Sequence, residues 1–398
     1  MNYERPIYMC NSKATDILGE IIAALSAASI VFKQENVYSG ELIKAAEKLY
    51  DFTIRNDTGH EQGTYTEVSA CGGEARKFYN STGYIDELVW GGTWLFFATG
   101  NNSYLEYATE KFEAAEDEEA ISDTGIFYWN NKLTATAVLL TRLRFFHDLG
   151  YPYESAMESS SSRTDQLMCS YLSDEIFNKT EGGLILQSRD NGEPLEYAAT
   201  ATFLSKLYSD YLDLLRRSGV SCGSDGFSLK TLRSFSMSQV KYLLPCSNNY
   251  APVKQILHLY TDKGFILKVN YILGDNPMKM SYMVGFGDKY PTQVHHRSAS
   301  IPWDNHHYSC AEGDRWLYST EPNPNVLLGA LVAGPDEFDK FSDERGKPWF
   351  TEPSIASNAG LVAALVALHE PPRKSSNSIT FNLGMDQMGI FDNIHLIT

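Results

Sequence analysis

Apolar residues recur at helical spacing along most of the chain, and the alternation that is typical of strands is nearly absent. Residues 16–32 carry isoleucine, leucine, valine and alanine on almost every side, which is typical of a helix that is buried all round. Residues 39–54 are instead amphipathic, with Ser39 as the expected N-cap. Buried and half-exposed helices are therefore predicted to alternate.

The same spacing predicts further helices, which short polar or glycine-containing loops separate. A capping box at Ser103 begins one of them directly after the apolar segment 83–98. The others cover residues 133–149, 155–172, 197–217, 228–244 and 359–368. This succession of inner and outer helices predicts an all-α fold, arranged as a toroid of helical hairpins rather than as a simple bundle.

Composition and charge narrow the partners of this helical fold. The 398 residues allow one large domain or two medium ones, since no linker-like segment forces a split. The net charge of -17 argues against nucleic acid and against an anionic membrane surface as partners. A neutral polysaccharide fits better, and the aromatic content of 13% suits stacking on sugar rings, although a large helical core uses the same rings.

The cysteines and histidines show no metal-ligand spacing, so no metal site or cofactor is expected. Acceptor sequons suggest a glycoprotein of the secretory pathway; they start at Asn56, Asn80, Asn101 and Asn178. The chain begins with polar residues and has no signal-like or membrane-spanning run. Either it is cytosolic or its targeting end lies outside this sequence.

Two stretches carry candidate chemistry. Glu352 stands between an aromatic, proline-containing loop and the helix at 359–368, where burial would favour the protonated form that a general acid needs. The alternative is a glutamate that the helix dipole favours. The second stretch presents His295, His296 and Arg297 after a glycine-rich loop, as donors to substrate hydroxyls. Its alternative is an ion-paired surface cluster.

Taken together, the motifs of the second half of the chain resemble glycoside hydrolase family 9 in residue type and order. They are Gly274-Asp275-Asn276-Pro277, residues 281–287, 295–297 and 322–326, Gly334-Pro335-Asp336 and Thr351-Glu352-Pro353. Upstream, residues 27–32, 77–81, 86–90, 182–184 and 209–212 extend the resemblance over nearly the whole chain. Residues 358–365 and 388–391 most resemble the plant membrane-anchored class, the Korrigan-type endoglucanases.

The resemblance implies an (α/α)6 barrel that hydrolyses internal β-1,4-glucosidic bonds with inversion. Glu352 matches the family's general acid, and Asp343 matches the acidic position of its second signature. His295 and Arg297 match the substrate-binding pair, and His295 also counts among the catalytic residues. Trp129 and Tyr282 are further substrate-binding candidates. The implied partner is a β-1,4-glucan such as cellulose, and the implied location of the full-length parent is membrane-anchored or extracellular.

Inversion requires a second carboxylate across the sugar, at roughly 6.5–9.5 Å from the acid. In the family an Asp-Ala-Gly-Asp-like motif supplies it, and the chain contains no such motif. Asp336, Asp339 and Asp343 are poor replacements, because they precede Glu352 closely in the same region. Residues 1–370 are therefore expected to form a partial catalytic domain, incomplete at the N-terminus, followed by a tail at 371–398.

A further departure is internal. Residues 241–269 intervene where the family pattern runs directly from Val240 to Asn270, and residues 240–244 nearly repeat residues 269–273. An aberrant insertion, such as a retained intron, is the hypothesis for this segment. Two functions remain open for the chain: an endo-1,4-β-glucanase whose sequence is incomplete, or a catalytically inactive remnant that at most binds glucan.

Overall fold

The computed structural model describes residues 9–10, 13–55, 59–147, 149–173, 175–187, 192–223, 225–240, 271–306, 308–309 and 311–369. Helices dominate these ranges, as predicted. They are α1 (Thr15–Val31), α2 (Asn36–Ile54), α3 (Ser69–Gly72), α4 (Ile85–Thr99), α5 (Asn102–Glu118), α6 (Leu133–Phe146), α7 (Glu154–Leu172), α8 (Pro194–Leu214), α9 (Leu229–Val240), α10 (Arg297–Ser300), α11 (Asp314–Leu317), α12 (Pro348–Thr351) and α13 (Ile355–His369).

Two small antiparallel sheets complete the regular structure. Strands β1 (Asn178–Lys179) and β2 (Ile185–Leu186) form one, and β3 (Gly219–Cys222) and β4 (Asp225–Ser228) form the other. The chain divides into two compact units. The N-terminal unit contains Asn2–Ser173 and Leu207–Leu229, and the C-terminal unit contains Asp174–Lys206 and Lys230–Leu368.

Long helices packed on one another build the N-terminal unit. Helix α1 lies against α2 and α4, α4 also packs on α5, and α6 packs on α7. Glycines allow the close approach of α1 and α4: a Cβ atom on Gly19 would lie 2.5 Å from the carbonyl oxygen of Glu87. Two disulfides, Cys10–Cys71 and Cys169–Cys222, join distant parts of this unit.

The predicted helices are present, but some of their details were wrong. Helix α2 begins at Asn36, so Ser39 lies inside it, where its hydroxyl donates to the Ser29 carbonyl at 2.9 Å instead of capping the helix. The N-cap of α5 is Asn101, whose side chain accepts from the Ser103 N–H. Helix α1 is not buried all round, because one apolar face is exposed; its exposed residues include Ile17, Ile21 and Val31.

The C-terminal unit has fewer long helices and more irregular backbone. The residues between 271 and 354 form loops, isolated β-bridges and the short helices α10, α11 and α12. No helix in the described ranges combines the length and the apolar content that a membrane span requires. The tail at 371–398 lies outside the described residues.

Helix α9 has an unusual continuation in this unit. The backbone N–H of Tyr271 donates to the Ser238 carbonyl at 3.3 Å, and that of Ile272 donates to the Gln239 carbonyl at 3.1 Å. With residues 241–269 left out of the count, both bonds join a residue to the fourth one before it, as in an α-helix. The segment 241–269 itself lies outside the described residues.

Candidate active site

The candidate site residues lie on three loop segments of the C-terminal unit. Asp343 connects its own segment to the one that contains Thr292 and Gln293. Its carboxylate accepts hydrogen bonds from the backbone N–H of Thr292 at 2.8 Å and of Gln293 at 2.9 Å, and from the Thr292 hydroxyl at 2.9 Å. These bonds fix the backbone that leads into His295. The carboxylate of Asp343 is thus engaged in holding the loop.

Arg345 ties in the third segment, residues 316–323. Its side chain is 3% exposed, and the guanidinium donates to the Asn323 side-chain oxygen from Nε at 2.7 Å. It also donates to the carbonyls of Ser319 at 3.1 Å, Glu321 at 2.9 Å and Trp316. A planar group with five donors suits this role, because it satisfies several carbonyls at fixed angles.

His295 is held at two points beside Glu352. Its backbone N–H donates to the Thr351 carbonyl at 3.0 Å, and its ring Nδ1 lies 2.6 Å from the Arg345 carbonyl oxygen. Thr351 is fully buried and directly precedes Glu352. The structure therefore brings His295 close to the backbone beside Glu352. It also brings His295 against Arg345, although some fifty residues separate these two along the chain.

A cavity of about 190 Å³ opens beside these residues. Its lining includes His295, Arg297 and Arg345, together with residues of α10 and α11. Arg297 also supports the wall, since its Nη2 donates to the carbonyls of Tyr308 at 3.1 Å and Ser309 at 2.9 Å. His296 instead caps α10, where its Nδ1 accepts from the Ala299 N–H at 3.2 Å.

Glu352 follows the last residue of α12 and is half-buried. Its N–H donates to the Pro348 carbonyl at 2.8 Å, and the next residue, Pro353, pairs with Val332 in an isolated β-bridge. Glu352 is not among the residues that line the cavity. Its link to the cavity is through the backbone: the carbonyl of the preceding residue, Thr351, accepts a hydrogen bond from the backbone N–H of His295, which lines the cavity.

The sequence motifs did not indicate a second carboxyl group near Glu352, that of Glu193. Burial raises the pKa of Glu193, and the charge of Glu352 raises it further. Glu193 precedes α8, and two residues later the Leu195 N–H donates to the Ala333 carbonyl at 3.3 Å, which places this turn beside the strand-like segment that pairs with Pro353. No motif in the sequence marks Glu193, and only the folded chain shows this neighbourhood.

The three aspartates that precede Glu352 in this region accept hydrogen bonds from backbone N–H groups. Asp336 accepts from two N–H groups of its own loop, at 2.8 and 2.9 Å. Asp339 is buried, accepting from the Gly182 N–H at 2.7 Å and from the Tyr271 hydroxyl. Asp343 clamps the loop before His295, as described above.

The two remaining candidates lie in different surroundings. The Tyr282 side chain is fully buried, with its ring stacked on Tyr271 at 6.0 Å between centroids, so in this structure it is a core residue. Trp129 belongs to the N-terminal unit, where its half-buried ring meets Tyr79 edge-on at 5.7 Å. Among the described residues, no group of His, Cys, Asp and Glu side chains is arranged to hold a metal ion.

Glu352 directly follows Thr351, whose carbonyl accepts a hydrogen bond from the backbone N–H of His295, and His295 lines the cavity with Arg297 and Arg345. This arrangement fits a glycoside hydrolase, the class that the sequence motifs predicted. The chain belongs to glycosyl hydrolase family 9, because the model of that family matches residues 1–365. This match confirms the resemblance that the sequence motifs predicted.

Plant endoglucanases are among the similar proteins. The chain is 42% identical over 395 residues to endoglucanase 10 of Oryza sativa subsp. japonica, covering 98% of this chain and 56% of the rice protein. It is 43% identical over 373 residues to endoglucanase 25 of Arabidopsis thaliana, covering 92% of this chain and 54% of that protein. The chain therefore spans about half the length of these relatives.

Solved structures confirm the fold class. The endoglucanase of the termite Nasutitermes takasagoensis matches with a TM-score of 0.67 and 28% identity, over 93% of this chain and 69% of the termite chain. The cellulase Cel9M of C. cellulolyticum matches with a TM-score of 0.60 and 25% identity, over 90% of this chain and 64% of that chain. The predicted all-α class, of the (α/α)6 type, is thus that of its structural neighbours.

Proposed function

We propose that this chain carries the general acid of an endo-1,4-β-glucanase. Such an enzyme cleaves internal β-1,4-glucosidic bonds with inversion. The observation that carries the proposal is the position of His295. Its backbone N–H donates to the carbonyl of Thr351, the residue before Glu352, its ring contacts the Arg345 carbonyl, and it lines the cavity. Family membership supports it, as do relatives named as endoglucanases. A family member was also solved in complex with cellobiose.

In this proposal Glu352 protonates the oxygen of the leaving sugar, and His295 and Arg297 bind hydroxyl groups of the adjoining ring. A protonated carboxyl suits this task because it gives up its proton as the glycosidic bond breaks. Asp343 contributes by fixing the loop before His295. Trp129 remains a predicted substrate contact, whereas the fully buried side chain of Tyr282 has no surface to offer a substrate in this structure.

We further propose that the second carboxylate is not among these 398 residues. Inversion needs a base that activates water on the opposite face of the sugar, at roughly 6.5–9.5 Å from the acid. Asp336, Asp339 and Asp343 already accept hydrogen bonds that hold backbone, which supports this view. Glu193 is a poor base as well, because burial and the charge of Glu352 raise its pKa and favour the protonated form. The chain alone then binds β-glucan and hydrolyses it at a negligible rate.

The test combines an activity assay with a binding assay on the purified chain. We expect no release of reducing ends from soluble carboxymethyl cellulose, but measurable retardation of the chain in gels that contain the same polymer. His295→Ala should weaken the retardation, whereas His306→Ala, at an exposed position, should not. Turnover that Glu352→Gln abolishes and Glu337→Gln preserves would contradict the missing base. Absence of any retardation would refute glucan binding itself.

The second candidate function, a catalytically inactive remnant that at most binds glucan, makes a different prediction about longer forms of the protein. If the endoglucanase proposal holds, a longer reading frame joined to Met1 should encode an Asp-Ala-Gly-Asp-type segment. Its product should release reducing ends, with inverted anomeric configuration by proton NMR. A longer form that carries this segment and stays inactive would favour the remnant.

Passage through the secretory pathway is also a proposal for the parent protein, with membrane anchoring as a further one. The described sequon residues are exposed, which supports glycosylation; they are Asn80, Asn101 and Asn178. When the chain is directed into the endoplasmic reticulum, an endoglycosidase should lower its mass. Substitution of all the sequon asparagines by glutamine should remove that shift. An unchanged mass in the unsubstituted chain would contradict the proposal.

A further inference from the structure

The contact between His295 and Arg345 determines which ring nitrogen of His295 carries the proton. Nδ1 lies 2.6 Å from the Arg345 carbonyl oxygen, and a carbonyl oxygen only accepts hydrogen bonds. Nδ1 must therefore donate. While the ring is neutral, Nε2 then has a free lone pair and acts as an acceptor.

The carbonyl that imposes this choice is itself fixed. The Arg345 side chain is 3% exposed, and its hydrogen bonds to Asn323 and to three backbone carbonyls of the 316–321 segment hold the residue in place. The His295 backbone is anchored independently, by its N–H bond to the Thr351 carbonyl. Ring and carbonyl are thus held on both sides of the 2.6 Å contact.

We propose that Arg345 is a positioning residue that keeps neutral His295 in its Nδ1–H form, so that Nε2 accepts a hydrogen bond from a hydroxyl group of the glucan. The substrate hydroxyl is the donor in this contact, whereas a histidine in the other tautomer would donate. The tautomer assignment stands on the structure alone. The hydroxyl contact rests on the proposed function, and it selects sugars with a free hydroxyl at that position.

The tautomer is measured without any ligand, by long-range proton–nitrogen NMR of 15N-histidine-labelled protein at a pH where the ring is neutral. His295→Ala assigns the signal. We expect the Nδ1–H pattern in the unsubstituted chain. In Arg345→Lys, a compact ammonium replaces the guanidinium fork and cannot satisfy the same set of acceptors. The carbonyl is then released, and the signal should move toward the Nε2–H form that the free histidine side chain favours.

Arg315→Lys is the matched control, because Arg315 is an exposed arginine that stacks on Trp316 in the same region. It should leave the tautomer unchanged. Cellohexaose titration provides the second readout: Arg345→Lys should weaken binding by about threefold to tenfold, the range expected for one lost hydrogen bond, and Arg315→Lys should not.

An Nε2–H pattern in the unsubstituted chain would overturn the proposal, and so would an Arg345→Lys variant that folds with an unchanged tautomer. The first of these measurements needs no variant, so a failure of Arg345→Lys to fold does not protect the proposal. If the Nδ1–H form is observed but cellohexaose does not bind, the hydroxyl contact is refuted together with the proposed function, and the tautomer assignment stands.

Discussion

Each of the two units of this chain is stabilised internally by a different kind of contact. In the N-terminal unit, helices bury a continuous apolar cluster that includes Phe96, Phe97 and Phe112, and two disulfides join distant segments. In the C-terminal unit, the loops around the candidate site depend on side chains such as Asp343 and Arg345, which bond to backbone groups.

The difference follows from the kind of backbone that predominates in each unit. A helix satisfies its own backbone, so apolar burial is enough to hold it against its neighbours. An irregular loop leaves backbone N–H and C=O groups that need other partners, and polar side chains provide them. The candidate site residues lie on loops of the second kind, so their positions depend on a few polar contacts.

The largest effect is expected from a cavity in the N-terminal unit. Phe97→Ala removes a fully buried ring of α4 and should lower the free energy of unfolding by about 3–5 kcal/mol. Urea denaturation measures this, and hydrogen exchange should show lost protection in the helices of that unit. The control Phe78→Ala, at an exposed ring, should change stability little. Equal losses in both variants would contradict the view that the buried apolar cluster stabilises the N-terminal unit.

Deletion of residues 241–269 tests whether the stability of the C-terminal unit depends on this segment. The bonds from Tyr271 and Ile272 already continue α9, so joining Val240 to Asn270 should remove a loop-closure cost of about 3 kcal/mol without breaking a described contact. The melting temperature should rise. A variant with a Gly-Ser segment of equal length in place of 241–269 should melt near the unmodified chain. If the deletion variant fails to fold, the inserted segment is a structural part of the unit.

A smaller effect is expected from the loop clamp. Asp343→Ala removes the acceptor of three hydrogen bonds, and because Thr292 is exposed, water replaces part of them; the loss should be about 1–2 kcal/mol. The change should be local, with faster hydrogen exchange near residues 292–295. Asp288→Ala, at an exposed loop position, serves as the control. Faster exchange in both variants would show that Asp343 has no special role.

The smallest effect concerns pH. Glu87 is 2% exposed, and its pKa is raised well above the ordinary value of 4.5 by burial and by the neighbouring Asp86. The native state therefore keeps a proton that the unfolded chain loses, and stability should fall as pH rises from 4.5 toward the raised pKa. Glu87→Gln should flatten this part of the curve of melting temperature against pH, whereas Glu41→Gln on exposed α2 should not. An unchanged slope in Glu87→Gln would contradict the assignment.

The helices could be predicted because their signal is local: apolar spacing alone located α4, α6 and α7 to within a few residues. The helix starts were less accurate, since capping depends on backbone angles that the sequence does not report. The apolar pattern of α1 by itself wrongly predicted burial on every side, because periodicity records which residues are apolar and does not record which neighbours cover them.

The candidate site divides in the same way. Ordered motifs predicted Glu352, His295 and Arg297 as site residues, and these assignments stay predictions. The motifs gave no sign that the Arg345 carbonyl holds the ring of His295, or that Glu193 lies near Glu352, because these neighbours are far apart in sequence and no spacing rule joins them. The disulfide partners were unpredictable for the same reason.

The continuation of α9 has a practical use. Since Tyr271 and Ile272 bond to Ser238 and Gln239, two points that are distant in sequence stand one helical step apart in space. Loops that end so close together tolerate long inserts, because each doubling of length adds only about 0.6 kcal/mol. A domain with adjacent termini can therefore be inserted between Val240 and Tyr271 at a low loop-closure cost.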